Sequence, residues 1–172
     1  MKKIKVGISS CLLGENVRYD GGHKLDSFLK DTLGKYVDYV PVCPEVECGL
    51  GVPRKSMRLE GEPDSTRLII TETRQDMTRR MVNWAQKRVI QLEQEYIRGF
   101  IFKSNSSNCG IKKVKIYNEK DAPFEAGMGI FARIFIEHFP LLPVQDEESL
   151  HDSSLRKNFI ERIFAFAKSS VK

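Results

Sequence analysis

The sequence predicts an α/β fold: a mostly parallel sheet flanked by helices, Rossmann-like. Three observations predict it. Short β-branched runs alternate with helix-length amphipathic segments along the chain, the pattern of strand–helix–strand units. Polar, glycine-bearing loops follow several of the apolar runs, where open parallel sheets gather their ligands. At 172 residues the length suits a single domain, 1–172, with enough apolar material for a buried core.

The elements follow in order. Residues 3–8 (KIKVGI) alternate and are β-branched, a first strand. Residues 25–33 read as a short helix stopped by Gly34. Residues 37–42 (VDYVPV) form a second strand, and 67–71 (RLIIT) a third, shorter one. Between them, 60–66 (EGEPDST) is polar and turn-rich, a mobile loop by composition. Residues 76–96 form a long helix, with Met77, Met81, Trp84, Ala85, Val89, Leu92 and Tyr96 recurring at threes and fours. Residues 99–103 (GFIFK) read as a buried strand, 129–138 as an apolar helix, and 141–144 as a short strand or extended turn. A last helix spans 152–166, capped by Asp152 or Ser153.

Composition removes several classes. With 41% hydrophobic and 30% charged residues, the chain is neither disordered nor low in complexity. No apolar run reaches the roughly 20 residues of a membrane helix. The N-terminus MKKIKVGISSCLLG is too short and too interrupted for a signal peptide, so a cytoplasmic location is expected. The net charge of +5 suits an anionic substrate or nucleic acid but compels neither.

The four cysteines carry the functional signal. In a cytoplasmic chain they stay reduced, available for metal, catalysis or burial. Cys11 follows the first strand, Cys43 directly follows the second, and Cys109 lies in the loop after GFIFK. Three cysteines thus sit in three strand-end loops on one expected edge of the sheet. Cys48 lies past the strand end in a glycine-rich turn. Small polar neighbours (Ser9, Ser10 and Gly14; Ser104 to Asn108 and Gly110) let backbone approach a bound group closely. Residues 103–115 hold four lysines and no acid, which would favour a thiolate at Cys109. The spacing lacks the paired Cys-x-x-Cys of structural zinc sites and does not name a metal. Asp20-Gly-Gly-His23 reads as a turn. Glu45 and Glu47, two apart in an extended segment, are expected to share a face.

These residues resemble a family. Residues 8–14 (ISSCLLG), 17–23 (VRYDGGH), 42–46 (VCPEV), 49–54 (GLGVPR), 103–110 (KSNSSNCG) and 129–132 (GIFA) are similar to the motifs of a bacterial domain family whose characterised members are thiouracil desulfidases. The resemblance implies a 4Fe-4S cluster with three cysteine ligands, Cys11, Cys43 and Cys109, and one open iron. Cys48 is left out of that set. The resemblance also implies that Glu45 and Ser106 take part in the chemistry, and that the substrate is a small thiolated base such as 2-thiouracil. Ser10, Ser104 and Arg54 are candidate substrate-binding residues, Arg54 for an anionic group. The family usually has Pro then Ser where this chain has Ser107 and Asn108, a departure that bears on the substrate pocket. Two alternatives remain: a sulfur-handling enzyme on thiolated tRNA or nucleotides, for which no RNA-binding motif speaks, and a non-enzymatic iron–sulfur or zinc binding module. Neither a membrane nor an oligomeric state is indicated.

Overall fold

The computed structural model describes residues 2–169. In chain order its elements are β1 (Ile4–Ser9), β2 (Val37–Val42), α1 (Pro44–Glu47), β3 (Met57–Glu60), β4 (Arg67–Ile70), α2 (Thr78–Gln94), β5 (Phe100–Phe102), β6 (Val114–Tyr117), β7 (Pro123–Gly127), α3 (Ile130–His138), β8 (Val144–Asp146) and α4 (Ser153–Ser169).

One sheet has the order β2-β1-β5-β8. Every pairing in it is parallel. The strands expected at 3–8, 37–42 and 99–103 are therefore present, whereas the short strand expected at 141–144 lies further on, at Val144–Asp146; the carboxyl ends of β2, β1 and β5 lie side by side at one edge. Parallel strands need both faces covered. On one side Phe100 and Phe102 stack at 4.3 Å between centroids, and Phe131 and Phe135 of α3 meet them edge-on. The other side buries Val6, Ile8, Leu29, Leu33, Phe159 and Ile163.

A second, mixed sheet has the order β4-β3-β6-β7. The run at 67–71 is a strand, but it pairs antiparallel with β3 and not within the parallel sheet. Strands β3, β6 and β7 were not expected. Glu60, assigned to a mobile loop, ends β3; it is 8% exposed and held by Arg58 and Arg74.

The expected helix at 25–33 is instead a π-turn at Phe28–Thr32 followed by a 3-10 turn at Leu33–Lys35. Asp26 Oδ1 accepts from Leu29 N at 3.0 Å, and the short span still buries Leu29 and Leu33, four apart, on the sheet. Asp152 caps α4, its Oδ1 accepting from Ser154 N and Leu155 N.

The start of α3 fixes the loop that carries Cys109. Gly129 N donates to Gly110 O at 2.7 Å, Ile130 N to Ser107 O at 3.1 Å and Ala132 N to Asn108 O at 2.9 Å. Only glycine permits this approach. A Cβ on Gly129 would lie 2.4 Å from the carbonyl carbon of Asn108.

Candidate functional site

At the carboxyl edge of the parallel sheet lies a cavity of about 660 Å³. Its walls include every residue expected at the site: Ser10, Cys11, Cys43, Glu45, Arg54, Ser104, Ser106 and Cys109. Cys11 sits in the 3-10 turn Ser10–Leu13 that follows β1. Cys43 directly follows β2 and is the N-cap of α1. Cys109 lies in the loop between β5 and β6, its N–H donating to Ser106 Oγ at 3.0 Å. All three are buried.

Cys48 is absent from the cavity wall. Its Sγ donates to Glu45 O at 3.3 Å, and its side chain packs with Leu50 against Leu68, Met77 and Met81.

Glu45 is fixed from three sides. Its Oε1 accepts from Asn108 Nδ2 at 2.9 Å. The Cys43 thiol points at Oε2 across 3.5 Å, and Arg54 Nη2 stands 3.9 Å from that same oxygen. Glu47 does not share this face, contrary to the extended-segment expectation. Pro44 opens a short helix there, and helical winding turns residues two apart to different sides. Glu47 Oε2 accepts from Cys43 N at 3.0 Å, while Arg88 Nε binds Oε1 at 2.9 Å.

Burial dominates the thiols. It pushes Cys43 up to about 12, assisted by the Glu45 charge. Burial raises Cys11, against Arg18 and Lys103. Cys109 rises well above the ordinary thiol range through burial, then through Glu45. The lysine-rich loop therefore does not bring Cys109 below the ordinary thiol range; burial outweighs it. Lys103 is paired with Glu147, and Lys112 reaches Ser149 and Asp146.

Ser106 Oγ accepts from the N–H groups of both Asn108 and Cys109, so its own O–H remains to donate into the cavity. The Ser104 hydroxyl is already engaged: it donates to Glu147 Oε1 at 2.8 Å and accepts from Lys103 Nζ at 3.0 Å. Arg54 Nη1 donates to Gly51 O at 3.2 Å. Asp20 Oδ1 accepts from Gly22 N at 2.9 Å, closing the expected turn. Sequence reasoning missed Lys103, Glu147 and Asn108. Glu147 lies in an acidic run with no periodic signal, and Asn108 bonds Glu45 across 63 positions.

Three buried thiols on one cavity are a set of soft sulfur donors. Among the described residues no three His, Cys, Asp or Glu side chains converge to hold one metal. Several irons bonded to different thiolates need only sulfurs around a common space, and soft sulfur donors favour iron–sulfur groups. Cys11, Cys43 and Cys109 all line the cavity and are buried.

Comparison with known proteins agrees with this geometry. An uncharacterized protein of Bacillus subtilis (strain 168), YbbK, is 30% identical over 111 residues, 60% of this chain and 71% of that protein. The solved structure of TudS, described as a 4Fe-4S-dependent thiouracil desulfidase, superposes with a TM-score of 0.72 at 31% identity, covering 91% of this chain and 99% of the other. A family description, 2-thiouracil desulfurase, matches residues 6–147. Since that span covers most of the chain, including all but the first two residues of the parallel sheet and every cysteine on the cavity, the chain belongs to the 2-thiouracil desulfurase family.

Proposed function

We propose that the protein hydrolyses the C=S group of a thiolated pyrimidine base such as 2-thiouracil, releasing sulfide. It does so with a 4Fe-4S cluster held by Cys11, Cys43 and Cys109, one iron lacking a protein ligand. One observation carries the reading: three buried cysteines from three loops share a cavity with a carboxylate whose Oε2 is 3.5 Å from Cys43 Sγ. The fold and the 4Fe-4S dependence of the structural neighbour support it.

When bound, such a cluster supplies a thiophilic Lewis acid for the substrate sulfur. The chain's own residues do the rest. Glu45 takes a proton from the attacking water at Oε2 and returns it to the departing sulfide. Ser106 donates its O–H to an oxygen or nitrogen on the pyrimidine edge. Arg54, 3.9 Å from Oε2, helps hold that oxygen in place. The balance is hydrolytic: water provides the oxygen of the new C=O and the protons of the sulfide. No electrons are exchanged, so no reductant is required.

The test is an anaerobic preparation assayed for iron, acid-labile sulfide and turnover. About four irons per chain are expected, with sulfide and uracil formed from 2-thiouracil in equal amounts. A colourless protein that takes up only zinc after anaerobic reconstitution refutes the reading. A second reading, a thiolated nucleotide as substrate, has one observation in its favour: Arg18, Lys24, Arg54 and Lys55 line the same cavity. Parallel assays on the base and its nucleotide separate the two.

A further inference from the structure

We infer that Asn108 is the positioning residue of Glu45, fixing which carboxylate oxygen faces the substrate. The inference rests on the desulfidase reading. Asn108 is fully buried, and its Nδ2 donates to Glu45 Oε1 at 2.9 Å. Its Oδ1 is buried and has no hydrogen-bond partner among the described residues. Which end of the amide faces Glu45 follows from chemistry, since an ionised carboxylate only accepts. A buried acceptor without a protein partner is unusual, since buried amides usually satisfy both ends. This fold retains one, and the end it uses is the one on Glu45.

The base of the side chain is rigid for independent reasons. Asn108 N donates to Ser106 Oγ at 3.2 Å, and Asn108 O accepts from Ala132 N at 2.9 Å. A donor on a fixed backbone sets the rotation of the group it binds. With Oε1 tied to Asn108, Oε2 is the oxygen beside Cys43 Sγ and Arg54. An untethered carboxylate would spend part of its time turned away, and misplacement of a reacting group by about 1 Å costs on the order of 100-fold in rate. Serine at this position is one bond too short to carry a carboxamide to Glu45.

The experiment is a double-mutant cycle with a structural arm. Asn108→Ala and Asn108→Ser are each made in the wild type and in Glu45→Gln. In the wild-type background kcat falls by about 10-fold or more, with KM, iron content and visible spectrum unchanged. Because Asn108 acts through Glu45, the same changes add no further loss in Glu45→Gln. Asn108→Asp, of equal size but like charge, loses more than Asn108→Ser. Equal losses in both backgrounds, or a loss confined to KM or iron content, overturn the inference. The structural arm needs no turnover. In a crystal structure of metal-free Asn108→Ser, the Glu45 carboxylate is turned from its wild-type orientation or spread over several. A carboxylate unmoved there overturns the inference whatever the enzyme does to thiouracil. Wild-type protein inert on every thiolated base refutes the desulfidase reading instead.

Discussion

Gly129→Ala tests how tightly the start of α3 grips the Cys109 loop. The new Cβ would lie 2.4 Å and 2.5 Å from C and O of Asn108 and 2.8 Å from Cys109 N. All three are backbone atoms, so no side chain can swing away. Restoring ordinary contact parts helix and loop by about 1 Å, an overpacking strain of about 1–3 kcal/mol. The same movement stretches the bonds from Gly129, Ile130 and Ala132 to Gly110, Ser107 and Asn108, each contributing about 1 kcal/mol. Urea denaturation of the metal-free protein should show a loss of roughly 2–4 kcal/mol. Iron bound per chain after anaerobic reconstitution should fall with it, because Cys109 moves with the loop. Gly51→Ala is the control: its Cβ meets nothing closer than Pro53 O at 4.0 Å, and a change within about 0.5 kcal/mol is expected. A Gly129→Ala protein with wild-type stability and full iron would refute the grip.

Serine at position 11, 43 or 109 should abolish iron binding, whereas Cys48→Ser should retain it, because Cys48 is off the cavity wall; comparable losses at all four would mark a four-cysteine site. Glu45→Gln should keep the visible spectrum and lose about 100-fold in sulfide release, and an unchanged rate would remove Glu45 from the chemistry. The Arg74 and Arg58 guanidiniums hold the Glu60 carboxyl near 2, below its usual 4.5. A folded-state value below the unfolded one stabilises above about pH 4.5, and that contribution fades as the pH drops toward 2. The shift corresponds to about 3 kcal/mol at most, and to about 1–2 kcal/mol once solvent screening around the half-exposed Arg74 is counted. The stability gap between wild type and Glu60→Gln should therefore narrow from neutral pH to about pH 3 in urea titrations; a constant gap would show that ionisation is not its source.

The parallel sheet was legible because its strands are dense in β-branched and aromatic residues and need little context. The long helix was legible through its period: Met81, Ala85, Val89 and Leu92 are its buried residues. The second sheet was not. Strands β3 and β6 have four residues each, and their pairing of Leu59 with Ile116 joins segments far apart in the chain. Three cysteines on one edge could be anticipated because parallel topology places successive strand ends together. Spacing alone could not separate the two glutamates, because a four-residue helix at Pro44 turns them to different sides; only the family resemblance singles out Glu45. Counting lysines near Cys109 misled for a related reason. Charge in a segment says nothing of direction, and Lys103 is spent on Glu147.

The cavity cysteines stand 32 and 66 residues apart in the chain. A group bonded to all three is therefore also a covalent brace. It closes two long loops at once, and a chain-entropy treatment credits closures of such length with about 3–4.5 kcal/mol each. The unfolded chain has no comparable site, so a cluster held by all three would be taken up after the sheet has formed and released when the sheet opens. On the proposed ligation, stripping the iron would remove the chemistry and the brace together, and the protein left behind would be both inactive and easier to unfold.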